Sequence, residues 1–360
     1  METDLSTSSF KNKSKIRIND SEKGGFPKLP LNLLTVVLFF CIFNIVMLRS
    51  NTFWKYCHQS SRLDIDERLF FESRIRLEMK HSQTGRILLL GSSQVREGFD
   101  ELEMNRLLEG TGLQIVNLGY GGNAPADELL MDLEIAMKLK PAAIVYMPFV
   151  ASFYSKYLFP PIRSNFSPAI LPYIIDHFGI SSLFKNATTI IDGLSRYWFV
   201  MIRHRESVRE LLIKDISNSL SENRSDRKRT FYGHKMKSAY YKAEIDKSNG
   251  KRYGFSEYSN YNKEVFQNIA ISLKKKAIPF IVLRGPSHPL LKKCYPPEVD
   301  DDFGSFLEKQ SRLADIHYLN DRDMPEFTAD NFCDFTHMNS SGRDRFTKFM
   351  AEYLLKMIQK

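Results

Sequence analysis

Apolar residues recur along this chain in three rhythms. A continuous run occupies 31–48 (LNLLTVVLFFCIFNIVML), where the polar members Asn32, Thr35 and Asn44 carry no charge. Short bursts stand at 87–90, 114–118, 142–147, 279–283 and 316–319. They are too brief for helices and apolar at nearly every position, as in strands covered on both faces. Helical spacing fills most of the intervals: about 64–79, from near Phe99 to Gly110 or Gly112, from Pro125 to about Leu139, 262–276, 303–313 and 343–358. Strands alternating with helices at these spacings predict a parallel sheet joined by crossover helices.

The first run, at 18 residues, reaches the length needed to cross a hydrocarbon core, about 20 residues. A cleaved signal peptide is the rival reading. The run is longer than a usual signal core and starts late, and Arg49-Ser50-Asn51 follows it rather than a small-x-small site. A buried core helix would not need apolar residues on every face. We read 31–48 as a retained transmembrane helix. Residues 1–30, rich in Ser, Lys and Asn without apolar periodicity, read as a disordered tail. Lys11, Lys13, Lys15, Arg17, Lys23 and Lys28 precede the run, whereas Arg49 and Lys55 follow it. The bias predicts a cytoplasmic N-terminus and an extracytoplasmic (periplasmic) remainder on the cell's inner membrane. Trp54 and Tyr56 suit the outer headgroup belt, with packing against the domain as the plainer alternative.

After a connecting helical segment, 49–85, the chain is expected to form a three-layer α/β/α domain over 86–360 with a flavodoxin-like parallel sheet. The pattern breaks at about 150–261. Aromatic and proline-rich sequence there (Tyr154, Tyr157, Phe159, Pro160, Pro161) gives way to a helix with Met201, Val208, Leu212 and Ile216 on one face. A basic stretch follows, 225–252, containing Arg227-Lys228-Arg229. This reads as a largely helical insertion over the strand ends. Its charge run suits either a solvated face or a membrane- or substrate-facing one.

A net charge of +9 fits an anionic partner: phospholipid, acidic glycan or nucleic acid. No zinc spacing, RNA-binding signature or helix-turn-helix pattern accompanies it, so nucleic acid is not expected as a partner. Cys41, Cys57, Cys294 and Cys333 form no CxxC pair. Cys41 lies in the apolar run; one bridge among the other three is open. No metal or cofactor is expected.

The chemistry converges on two segments. Gly91-Ser92-Ser93 follows the first burst, placing a hydroxyl at the carboxyl edge of a parallel strand, where α/β folds bind ligands. Far downstream stands Asp334-Phe335-Thr336-His337. A serine hydroxyl is nearly inert without an adjacent base, and an acid three residues before a histidine can fold back under its ring. Separately, a serine after a strand is more often a helix cap, and a lone histidine is more often packed or on the surface. Together they predict Ser93 as nucleophile, His337 as base and Asp334 as orienting acid. The glycine turn Gly119-Tyr120-Gly121-Gly122-Asn123 offers backbone N–H groups to an oxyanion beside Ser93; a tight strand-to-helix connection is its plainer reading. A rival base is His288, in Arg284-Gly285-Pro286-Ser287-His288 after the fourth burst, although no carboxylate stands at short spacing from it.

These blocks resemble those of the SGNH (GDSL-type) hydrolases. Gly91-Ser92-Ser93 stands where that family has Gly-Asp-Ser, NLGYGGN (117–123) resembles the second block, and DFTHMNSSG (334–342) closely matches Asp-x-x-His-x-Asn-x-x-Gly. The resemblance covers 86–150 and 262–358. It implies catalytic Ser93, His337 and Asp334, and an oxyanion hole built from the N–H groups of Ser93 and Gly122. The third block, Gly-x-Asn-Asp, is replaced by FVAS at 149–152, with Ala151 where the second oxyanion donor belongs. Ser152 or the insertion must then serve, or the protein is slow, or it is no enzyme. With the N-terminal anchor, these departures resemble the membrane-bound DltD-like branch. That likeness implies a serine esterase or O-acyltransferase acting on an acylated cell-envelope glycan or lipid-linked polymer, with a multi-pass membrane acyltransferase as an admissible partner. The other class left open is a non-catalytic assembly or binding protein of an envelope-polymer machine.

Overall fold

The structure, a computed structural model, describes residues 31–60, 67–81, 85–121, 125–154, 167–205, 209, 254–293 and 295–358. The expected tail, 1–30, lies outside them. Helix α1 (Leu31–Arg49) is the continuous apolar run, and by length and composition it can cross a membrane. Residues 1–47 form one unit and Leu48–Lys360 a second, compact one. In the second unit, α2 (Asn51–Ser60) leads to α3 (Glu67–Glu78). Helix α2 lies within the connecting segment expected to be helical, ahead of the 64–79 stretch whose spacing marked a helix. Its buried side chains, Trp54 and Cys57, pack against Leu69 and Val200, partners that no local periodicity reveals.

The five bursts become five strands, within about two residues of their expected ends. They are β1 (Arg86–Gly91), β2 (Gln114–Asn117), β3 (Ala143–Met147), β4 (Phe280–Leu283) and β5 (His317–Leu319). All pair in parallel, in the order β2-β1-β3-β4-β5. Successive side chains of a strand point to opposite faces. Leu88, Leu90, Val116, Ile144, Tyr146 and Val282 therefore enter one apolar cluster, while Ile87, Leu89, Ile115, Val145, Met147 and Ile281 enter another. Burial on both faces explains why the strands read as unbroken apolar bursts rather than alternating ones.

The helices between strands depart from expectation at their starts. After β1, helix begins at once as α4 (Ser93–Gly98), stops at Phe99 and restarts as α5 (Glu101–Leu107). The sequence pattern placed one helix from near Phe99. Phe99 is instead extended and 3% exposed, stacked on Phe346 at 4.7 Å, so burial of its ring breaks the helix. Asp100 caps the second piece by accepting from the N–H of Glu103. Helix α6 (Ala126–Ala136) follows β2, and Lys140, in the left-handed region, ends the turn after it.

After β3 come α7 (Val150–Tyr154), α8 (Leu171–Phe178), α9 (Ile180–Lys185), α10 (Ala187–Trp198) and α11 (Val200–Arg203). Most of the expected helix carrying Val208, Leu212 and Ile216, and all of the basic stretch, lie outside the described residues. The described part of the insertion beyond α7 packs against the first cluster and the helices beside it. Ile170 and Ile174 are buried in the first cluster, the hydroxyl of Ser167 donates to Glu134 of α6, and His177 meets Glu257 and Glu264. It therefore covers the outer side of the helices on that face, because its apolar residues find their partners there.

The α/β pattern resumes with α12 (Glu257–Lys275), which starts earlier than its apolar spacing suggested because Ser256 and Ser259 form a capping box. Next come α13 (Pro289–Lys292) and α14 (Pro297–Ala314), the latter opened by a proline at its first position. The chain closes with α15 (Ser340–Ile358). No disulfide joins Cys41, Cys57 and Cys333, so the bridge left open by the sequence is not formed among them; Cys294 lies outside the described residues.

Candidate active site

β1 ends at Gly91, whose φ of +145° and close approach to Met147 carbonyl oxygen leave no room for a side chain. The chain then turns into α4. Ser92 is the cap: its hydroxyl accepts from the N–H of Gln94 at 3.2 Å and is buried. Ser93, half-buried, takes the first helical position, where the backbone N–H has no partner within the helix. The cap and the candidate nucleophile are thus adjacent serines with separate tasks.

The loop before α15 brings the other two groups. His337 Nε2 lies 2.8 Å from Ser93 Oγ, and His337 Nδ1 lies 2.6 Å from Asp334 Oδ2. A carboxylate only accepts, so Nδ1 carries the ring proton and the Nε2 lone pair faces the serine hydroxyl. Asp334 Oδ1 accepts from the backbone N–H groups of Thr336 and His337, each at 2.7 Å, and from the Thr336 hydroxyl at 3.1 Å. Burial disfavours the charged carboxyl, but the hydrogen bond from His337, with these backbone donors, outweighs it and holds Asp334 below the usual carboxylate range.

Supports from both motif blocks, and from Gln94, for which the sequence marked no role, fix this loop. Gln94 donates through Nε2 to the carbonyl of Thr336 at 3.3 Å, tying α4 to the histidine. Asn339 caps α15 by accepting from Gly342 N–H, and a Cβ on Gly342 would sit 2.2 Å from Asn331 carbonyl oxygen. On the other side, Asn117 at the end of β2 donates to Val95 carbonyl oxygen and accepts from Gly119 N–H. A Cβ on Gly119 would lie 2.5 Å from Arg96 backbone nitrogen. The turn after β2 therefore presses on α4. The signals were present as Asn-x-Gly after a strand and Asn-x-x-Gly before a helix, but neither states its partner.

Of the expected oxyanion groups, the structure describes Ser93; Gly122 lies outside the described residues. Ser152 is not available as a substitute donor. It is fully buried in α7, and its N–H donates to Phe149 carbonyl oxygen at 2.9 Å. Ala151 is buried beside it. A small cleft opens beside Gln94, lined by Phe149, Val150, Arg284, Ser287 and Tyr295.

His288, the rival base, caps a helix. Its Nδ1 accepts from Leu290 N–H at 3.1 Å, capping α13, and its ring meets Phe332 and Phe335 edge-on. Burial lowers its pKa, with Asp334 pulling weakly the other way. No group of acidic, histidine or cysteine side chains suited to a metal occurs among the described residues.

A family model that carries no functional description matches residues 243–359, about a third of the chain, including Asp334 and His337 but not Ser93. No curated protein matches the chain.

Proposed function

We propose that the protein is a serine esterase or O-acyltransferase of the SGNH type, anchored by 31–48, acting outside the cytoplasm on an acylated cell-envelope glycan or lipid-linked polymer. The observation that carries this reading is the continuous relay from Ser93 Oγ through the His337 imidazole to Asp334. The strand order 2-1-3-4-5 is that of flavodoxin-like sheets, and the relay stands at the carboxyl ends of the strands, where such sheets bind ligands.

In the proposed reaction Ser93 Oγ attacks the ester carbonyl carbon as His337 Nε2 takes its proton. The resulting oxyanion meets the Ser93 N–H, with Gly122 N–H as the second donor. His337 then returns the proton to the departing alcohol, leaving Ser93 acylated. Water or a sugar hydroxyl, deprotonated by His337, resolves the acyl-enzyme. Asp334, held ionised, fixes the tautomer and stabilises the imidazolium.

Fluorophosphonate labelling of the full chain tests this. Ser93→Ala should abolish labelling and turnover of p-nitrophenyl acetate, while Ser92→Ala should keep both. Undiminished labelling of the Ser93 variant would remove the mechanism. A second reading, a non-catalytic binding protein of an envelope-polymer machine, draws on Ala151 and the sealed Ser152. Absence of labelling and of turnover in the native chain would favour it.

A further inference from the structure

A cavity of about 320 Å³ lies away from Ser93, between α3, α6 and the insertion. Its basic lining is Arg68, Arg76, Lys138, Arg196 and Arg203, set against Glu72 and Glu134. Three of the arginines are engaged: Arg68 with Asp132, Arg203 with Glu72, and Arg196 with Asp192 at 2.7 Å. Arg76 differs. Its guanidinium lies over the Trp54 ring, 4.4 Å from the centroid, and its buried Nε has no hydrogen-bond partner among the described residues. Lys138 is exposed and enters no ion pair among the described residues.

Two further features adjoin this basic cavity. Trp198 lines it at 60% exposure; Ile191, seven positions earlier on α10, and Ile180 and Phe184 on α9 are exposed apolar side chains as well. Leu48 also lines it and belongs to the last turn of α1, the membrane-length helix. Trp54 Nε1–H donates to Leu48 carbonyl oxygen at 3.1 Å. Leu48, where the second unit begins, is thus part of the cavity wall.

We propose that this cavity binds the anionic headgroup of a phospholipid from the bilayer that α1 crosses, with Ile180, Phe184, Ile191 and Trp198 seated in the interface beside it. Guanidinium groups match phosphate oxygens in a planar fork, basic groups near a bilayer attract anionic lipid, and tryptophan favours the headgroup level. The assignment requires α1 to span the membrane and does not involve Ser93.

The chain has two tryptophans, Trp54 and Trp198, so Trp54→Phe leaves Trp198 as the sole emitter. The full-length variant is reconstituted in phosphatidylcholine vesicles with or without phosphatidylglycerol, carrying a lipid spin-labelled near the headgroup. Trp198 emission should be quenched, and native mass spectrometry should show phosphatidylglycerol retained over phosphatidylcholine. Lys138→Gln, at an exposed site, and Arg76→Gln should each lower that preference about fivefold. An unquenched Trp198 in vesicles where protease protection shows α1 inserted would overturn the proposal. Equal retention of the two lipids, or a preference unchanged in Lys138→Gln, would overturn it too. Fluorophosphonate labelling of the same samples reports on Ser93 separately, so the two readings fail independently.

Discussion

His337 Nε2 and Ser93 Oγ, 244 positions apart in the chain, stand 2.8 Å from each other. The ring is aimed from behind by Asp334, whose other oxygen is saturated by Thr336 and by the backbone of His337 itself. Replacing Asp334 with Asn would substitute an amide able to donate toward Nδ1 and favour the wrong tautomer. Asp334→Asn should lower p-nitrophenyl acetate turnover by about four orders of magnitude. A loss below tenfold, with the fold intact by circular dichroism, would mean the carboxylate does not orient the base.

Ser92 and Ser93 separate capping from chemistry. Ser92→Ala removes one hydrogen bond to Gln94 N–H and should cost about 1 kcal/mol of stability. Its thermal midpoint should fall by a few degrees while labelling of Ser93 persists.

Gly342 and Gly119 hold the two sides of the site in register. A methyl group at Gly342 would meet Asn331 carbonyl oxygen at 2.2 Å, and one at Gly119 would meet Arg96 backbone nitrogen at 2.5 Å. Backbone must move in either case. Each Gly→Ala change should destabilise by roughly 1–3 kcal/mol and slow labelling more than Ser92→Ala does.

His288→Ala distinguishes a helix cap from a base. The ring caps α13 between two phenylalanines, so its loss should lower the thermal midpoint. Labelling of the variant that remains folded should stay within a few-fold of the native chain. Loss of labelling in a folded His288 variant, with labelling kept in His337→Ala, would reverse the assignment.

His177 links the insertion to α12. Burial opposes its protonation, but Glu257 at 2.5 Å and Glu264 at 2.8 Å outweigh burial and raise its pKa above the ordinary 6.5. The stabilisation is therefore complete below about pH 6.5 and lost as pH rises through the higher folded value. The native chain should lose thermal stability over that interval relative to His177→Gln. Parallel pH profiles for the two proteins would dismiss the link.

Much of this was legible along the chain because it depends on near neighbours. A strand buried on both faces must be apolar throughout, so 87–90, 142–147 and 279–283 announced themselves. Asp334 and His337 are three positions apart and share one loop, so their pairing could be read from spacing. The break at Phe99 could not, because it is set by Phe346 near the other end of the chain. The partners of α2 went unread for the same reason: its buried face is completed by Leu69 and Val200.

Residue order by itself determined the number of strands, the apolar run of membrane length and the chemistry of the candidate groups, since each follows from side chains close in the chain. Tertiary structure alone decided which histidine faces Ser93 and which caps a helix. It also decided that Ser152 is sealed and that the described insertion lies against α6 and α12. Such choices depend on which distant surfaces exclude water together, and no local pattern records them.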